Sequence, residues 1–549
     1  YMHLYFNSFK PGSRMDQRCD QLPDPDGRIA KRIKDLDSSE MGFQRIDELR
    51  IDGAIQAFSV DGSLLRIDLN IPIPPGEEVL LETQFEAQVP KQIRRSGRNN
   101  SEGVEYTMTQ WYPKLAEYST RGWHTQQYVN REFFGVFGSF DVKINIDSDY
   151  VLAGTGVVVN ACDLDMRVAS AYCAEAKKKK EKRQTWHFKA ADVHDFAWAA
   201  DRDFLINRKI NNEGTPVYFV RKKDTDQEAW TLLEGYTLGF FTEMKKRFGE
   251  YPYPQFSVIQ GGDGGMEYPM CTMILGRSEA KDIKGMVGLM VHEAAHNWFY
   301  GIIATDEQQY PWMDEGFTTF AEEEVMNALF EENQLNPHTS SLNGYRYLVG
   351  KGWQEPLTTP ADHYMRNRAY GVSSYSMGSL YLAQLEYIVG EKVFRKSIKQ
   401  FFNTWKFKHP NPDDLLFVLE KNSGMQLHWF HDLWIGTTQT MDYSIENVSQ
   451  SETGKLSIRL KNAGSFPMPL TMEVELKSGK TEHYYIPTDL TTKAKETNEI
   501  TLKPWPWTQS EYSFELELSL DEIESIVLDK NSFIADINDK NNLWPLATD

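Results

Sequence analysis

Two histidines, His292 and His296, stand four positions apart with Glu293 directly after the first, an H-E-x-x-H pattern. On a helix both imidazoles fall on one face, one above the other, so both can reach a single metal ion. Glu293 sits beside the first ligand, where its carboxylate can act on water at the metal instead of binding the metal. Val287, Leu289, Met290, Val291 and Trp298 give that helix apolar surface to bury. Five residues alone can match by chance on an amphipathic helix. The reading sharpens at Glu315, which follows His296 after residues 297–314, enough chain for a loop and a return to the first helix. Asp314 is the expected cap of a second helix that continues through residues 316–322. Two His and one Glu with an open fourth position is a catalytic zinc arrangement, whereas structural zinc sites are closed and usually cysteine-rich. Taken alone, Glu315 would read as an exposed carboxylate favoured by a helix dipole.

HEAAHNWF followed by WMDEGFTTF resembles the gluzincin aminopeptidases of the aminopeptidase N family. Upstream, Gly264, Gly265, Met266, Glu267 and Tyr268 resemble that family's G-x-M-E-N exopeptidase motif. Downstream, Tyr375, Ser376, Met377 and Gly378 resemble its Y-x-K-G segment. The motifs come in the family's order and spacing, and the chain is most similar to the short bacterial forms without a large helical C-terminal domain. The resemblance implies a zinc aminopeptidase with one zinc ion per chain on His292, His296 and Glu315. It implies Glu293 as general base and Tyr375 as hydrogen-bond donor to the tetrahedral oxyanion. Read without the family, Tyr375 would be a core tyrosine on an amphipathic helix.

Glu267 matches the residue that recognises the substrate's free α-ammonium, a task suited to a buried carboxylate whose desolvation is offset when the cation pairs with it. Met266 accompanies it in the substrate-binding segment, and Gly264 and Gly265 would let extended backbone approach the substrate. Tyr268 departs from the family's Asn, which puts the detailed shape of the pocket in question but not amine recognition. The family's second amine-binding residue comes from the N-terminal domain, and Gln110 is the candidate here. Glu322 lies about two turns beyond Glu315 on nearly the same helix face. It is the candidate to accept the free imidazole N–H of a zinc histidine, with a solvated place in the run Glu322, Glu323, Glu324 as the alternative. Two other functions stay open: a zinc endopeptidase, against which Glu267 argues, and a catalytically silent peptide-binding protein, which would usually have lost a ligand or the base.

These residues need a scaffold of several domains, and 549 residues supply it. The expected fold is multidomain α+β. Residues 1–205 alternate apolar and polar residues and read as an antiparallel β domain truncated at its start. Residues 206–436 read as a thermolysin-like α/β peptidase domain, in which Asp226 to Arg247 is a long helix. The exopeptidase motif is expected on a sheet edge beside the zinc helix. More helices are expected at 278–300, 314–332, 374–390, 391–405, 411–422 and 425–435. Residues 437–549 read as six or seven short strands of a β-sandwich.

The net charge of −20, from 59 basic and 79 acidic residues, argues against a nucleic-acid surface. The expected partners are peptides with a free N-terminus. The run KKKKEKR at 177–183 lies between two expected strands and reads as a solvated hairpin tip. No apolar run approaches the roughly 18 residues a membrane span needs. Tyr1 opens inside an apparent strand, so no targeting segment can be read, and a bacterial periplasmic or secreted location is favoured over a cytoplasmic one. None of the four cysteines has zinc spacing; Cys162 and Cys173 can close a small disulfide in an exported protein or remain thiols. Cys271 is expected to be a small buried residue near the cleft.

Overall fold

The computed structural model describes residues 1–164, 172, 181–491, 493 and 495–545. Much of the lysine run and Cys173 lie outside the described residues. The chain has a mixed α+β fold and divides into two compact units. The first comprises Tyr1–Gln308, Ala361–Asn367 and Trp405–Pro410; the second comprises Gln309–Pro360, Arg368–Thr404 and Asn411–Asp549.

In the first unit the N-terminal part is built from small, mostly antiparallel sheets. The longest ladder pairs Gly138–Asp147 with Arg183–Val193. Its first strand alternates exposed and half-buried side chains, the period of a sheet with one wet face. A short helix, Arg14–Gln21, interrupts the otherwise β-rich region; Ser13 caps it by accepting from the Asp16 backbone N–H at 3.2 Å.

A five-stranded mixed sheet follows in the order Phe204–Ile210, Pro216–Lys222, Phe256–Gln260, Cys271–Ile274 and Met266–Tyr268. The middle three strands are parallel, and Met266–Tyr268 runs antiparallel along the edge. Helix Gln227–Arg247 is capped by Asp226, whose carboxylate accepts from the Glu228 and Ala229 backbone N–H groups. It packs against helix Ile283–Phe299, which in turn lies on the two strands Met266–Tyr268 and Cys271–Ile274. Two hydrogen bonds pin this second helix: the Met270 N–H donates to Asn297 Oδ1 at 2.8 Å, and Trp298 Nε1 donates to the Gly249 carbonyl at 3.0 Å.

One apolar core runs from Tyr5 and Phe6 through Trp186, Phe196 and Trp198 to Met266, Tyr268 and Met273. Each large apolar side chain fully buried there is worth roughly 1.5–3 kcal/mol. The three-residue edge strand is therefore held by core packing as well as by its ladder.

In the second unit, helix Pro311–Leu329 starts earlier than expected, with a proline in its first turn. Asp314 lies inside that first turn instead of capping it; Pro311 needs no N–H partner and sets the start. Helix Thr339–Lys351 was not expected, because Gly344 and Gly350 weaken its periodicity. The segment expected as one helix at 374–390 is composite. A π-helical turn, Val372–Met377, joins Asn367–Gly371, whose last residues belong to this unit, to Gly378–Val389. Beyond helices Glu391–Trp405, Pro412–Ser423 and His428–Gly436 come two sheets of three and five strands, formed from residues 443–544. Among the described residues no helix is long and apolar enough to cross a membrane.

Candidate metal centre

In the first unit His292, Glu293 and His296 project from helix Ile283–Phe299; Glu293 and His296 are buried and His292 is half-buried. The two imidazoles meet edge to face, with their Nε2 atoms 3.3 Å apart. Tetrahedral zinc with Zn–N bonds of about 2.0–2.1 Å separates two ligand nitrogens by about 3.3–3.4 Å. The histidine pair therefore fits one zinc ion in both donor type and spacing.

Glu267 rides on the edge strand beside this helix. Ligand atoms of Glu267, Glu293 and His296 all lie within 4.8 Å of one another. A Cβ at Gly265 would run into the Glu293 carboxylate, so at this position glycine is what lets the loop backbone lie against that side chain. Gly264 has φ +99°, a conformation open to glycine, and Met266 is buried in the core. The sequence motifs thus bring His292, His296, Glu293, Glu267, Gly265 and Met266 together within one unit.

Tyr268 is accounted for by its partner. Its hydroxyl donates to Gln110 Oε1 at 2.9 Å, and Gln110 Nε2 donates to Asp195 Oδ2 at 3.2 Å. Asp195 also takes Lys114 Nζ at 2.8 Å and the Tyr112 hydroxyl at 3.0 Å. Burial raises the Asp195 carboxyl, but the Lys114 charge together with the hydrogen bonds from Lys114 and the Phe196 N–H outweighs that and holds it below the usual carboxylate range. Gln110 therefore has both ends of its amide engaged in this buried network.

Around Glu267 the structure adds residues that no sequence motif marked. The carboxylates of Glu132, Glu267 and Glu307 lie within 4.8 Å of one another, all buried. Arg95 donates from Nη2 to Glu132 at 2.7 Å, while its Nη1 stays 3.7 Å from Glu267. The guanidinium is thus committed to Glu132 and offsets the Glu267 charge only in part. These four residues come from well-separated stretches of chain with no spacing rule to link them. Cys271 is buried as expected, and burial pushes its thiol up to about 12. Cys162 is disulfide-bonded, whereas Cys19 and Cys271 are free.

In the second unit Glu315 is buried in the first turns of helix Pro311–Leu329, and the Tyr375 hydroxyl donates to its Oε1. Gly316 and Gly378 make this approach feasible: a Cβ on Gly378 would sit 2.7 Å from the Gly316 Cα. Glu322 is half-buried farther along the same helix. Its neighbour Glu323 accepts from His338, Ser341 and Ser379, and Glu324 pairs with Arg395.

Residues 237–434 match the Peptidase family M1 domain. Among curated relatives, mitochondrial aminopeptidase 2 of Saccharomyces cerevisiae is 26% identical over 250 residues, 41% of this chain and 25% of that protein. Aminopeptidase N of Streptomyces lividans is 27% identical over 226 residues, 38% of this chain and 26% of that protein. The chain spans about a quarter of the length of these relatives.

Solved structures agree on the fold. Aminopeptidase A of Legionella pneumophila superposes with a TM-score of 0.62 at 13% identity, covering 93% of this chain and 56% of that one. An M1 zinc metallopeptidase of Deinococcus radiodurans superposes with a TM-score of 0.53 at 16% identity, covering 72% and 84%.

Proposed function

We propose that the protein is a zinc-dependent aminopeptidase that releases the N-terminal residue of peptides, with one zinc ion per chain. The observation that supports this reading is the meeting of Glu267 with Glu293 and His296 inside one unit, the residues to which we give amine recognition, the general base and metal binding. The proposed ligands are His292, His296 and Glu315. Zinc held there would act as a Lewis acid and lower the pKa of water towards neutrality.

Glu293 takes the proton of the attacking water and delivers it to the leaving amine. Tyr375, which donates to Glu315 in this structure, turns its hydroxyl to the oxyanion that develops on the scissile carbonyl. Glu267 holds the α-ammonium and so fixes the distance from the chain end to the scissile bond. The substrate backbone adds to the open edge of strand Met266–Tyr268, with Gly264 and Gly265 allowing close approach. Glu322 accepts the free imidazole N–H of a zinc histidine and holds its tautomer.

One observation favours a second reading of Glu267, as a structural partner of Arg95. The 3.7 Å gap, against 2.7 Å from Arg95 to Glu132, weighs for the first reading.

We keep 1–205, 206–436 and 437–549 as working parts: a β domain, the peptidase domain and a β-sandwich. We also place the protein in an oxidising compartment, the bacterial periplasm or outside the cell. The disulfide at Cys162 supports that placement. Alkylation of denatured, unreduced protein should then label two of its four cysteines; four labelled cysteines would refute the placement.

The activity is tested with a panel of aminoacyl-arylamides. Hydrolysis should vanish on chelation and return with zinc. Hydrolysis untouched by a chelator that has stripped the metal would refute the reading.

A further inference from the structure

We propose that Asp263 is a positioning residue for substrate binding, acting through the Arg94–Arg95 dipeptide that underlies the exopeptidase segment. This rests on the reading of Glu267 as the ammonium-binding group. Asp263 carries the one functional side chain in the loop Gly261, Gly262, Asp263, Gly264, Gly265. Its φ is +92°, in the region that favours glycine, and the next residue, Gly264, is at +99°. With glycines on both sides, a fifth glycine would suit the backbone better. An aspartate held in that conformation points to work done by its carboxylate.

That carboxylate is buried and faces Arg94, the two side chains being 2% and 9% exposed. Arg94 Nη1 and the Arg95 backbone N–H both donate to Asp263 Oδ2, the second at 2.6 Å. Arg28 Nη1 donates to the Asp263 carbonyl at 3.2 Å and so holds the loop from its other side.

The dipeptide gripped in this way reaches the substrate-binding residues directly. Arg94 Nη1 lies 3.7 Å and Arg95 Nη1 3.4 Å from the Met266 sulfur. Arg95 Nη1 is also 3.7 Å from Glu267 Oε1. Arg95 itself has φ +58°, an unfavourable conformation that the Asp263 contact to its N–H helps to hold. Without the Asp263 carboxylate, Arg94 is a buried cation lacking its partner and the Arg95 backbone N–H loses its acceptor. The Arg95 guanidinium, 3.7 Å from Glu267, is then no longer held at that distance, and drawn closer it competes with the substrate's ammonium for the same charge.

Asp263→Gly tests this cleanly, because glycine accepts the local backbone while removing the carboxylate. Zinc content, kcat and KM for a free-amine alanyl-arylamide, and the inhibition constant of free alanine are measured for variant and wild type. KM and the inhibition constant should rise about tenfold or more, with kcat changed less than about threefold and zinc stoichiometry intact. Asp263→Asn, which keeps an acceptor for the Arg95 N–H, should fall between the two, and it decides the matter by the same criteria if Asp263→Gly does not fold. Wild-type KM in the variant that folds overturns the proposal. So does a loss of kcat that follows lost zinc, the mark of a merely structural role. A wild-type protein that cleaves blocked and free substrates equally fails the underlying amine reading instead.

Discussion

The Tyr375 hydroxyl donates to the Glu315 carboxylate across two helices that touch backbone to backbone through Gly316 and Gly378. Tyr375 stands in a π-helical turn, Val372–Met377. Such a turn shifts the angular phase of the residues it holds relative to an α-helix, and it is often found at functional sites. The tyrosine is therefore aimed by a local irregularity, and the glycine pair sets its distance from the proposed metal ligand.

Replacing Tyr375 by Phe removes the hydroxyl and keeps the ring. Bound zinc should be unchanged and kcat should fall by the equivalent of about 2.7–4 kcal/mol, the size of a lost oxyanion-hole donor. Single-turnover kinetics on metal-replete protein check this, and a kcat within twofold of wild type would remove Tyr375 from the chemistry.

The base and the ligands should separate in the same kind of experiment. Glu293→Gln should retain zinc and lose orders of magnitude in kcat, whereas His296→Ala should lose the zinc itself. Metal analysis beside kinetics distinguishes them. A full equivalent of zinc in His296→Ala would contradict the ligand assignment.

Much of this was legible in the sequence because it is local. The histidine pair follows from helical spacing, and the exopeptidase segment lies on a sheet edge beside that helix, as the family resemblance implies. Glu391–Trp405 appears at the bounds expected, since its apolar residues keep a regular helical period. What sequence could not supply was either irregular or non-local. A π-turn has no composition of its own, so residues 374–377 of Val372–Met377 read as the start of a plain helix. Pro311 moved the start of the Glu315 helix ahead of Asp314, although both residues are good helix starters. Arg95, Glu132 and Glu307 come to Glu267 only through tertiary packing, and the role of Tyr268 depended on finding Gln110 and Asp195 behind it.

Glu322 offers a test of the support behind the ligands. If it accepts an imidazole N–H, Glu322→Gln should weaken zinc affinity about 10–100-fold. Competition with a chelator of known affinity measures this. Unchanged affinity would return Glu322 to the solvated face of its helix.

Asp362 makes a prediction about stability. Its Oδ1 is buried without a hydrogen-bond partner, and Arg18 donates to the backbone carbonyls of Asp362 and Tyr364 instead of to the carboxylate. Burial, aided by Glu132 and opposed by Arg131 and Arg18, pushes the carboxyl from its ordinary 3.8 up to about 7. The folded state thus holds this proton more tightly than the unfolded chain, and the group's contribution to stability is lost as pH rises from about 4 through 7. Asp362→Asn should raise Tm at pH 8, by an amount worth on the order of a few kcal/mol at most, and leave it unchanged below pH 4. A Tm difference independent of pH would show that Asp362 is not the titrating group.

The central claim is that Glu267 reads a free amine beside the metal centre. The direct measurement compares kcat/KM for an alanyl-arylamide and its N-acetyl derivative, in wild type and in Glu267→Ala. Acetylation removes the cation and leaves a buried carboxylate unpaired, a loss of about 3–5 kcal/mol. The wild type should cleave the free substrate and essentially not the blocked one, while Glu267→Ala should raise KM strongly and narrow the difference between them. Equal cleavage of both substrates by the wild type would contradict the aminopeptidase reading and leave only the metal centre standing.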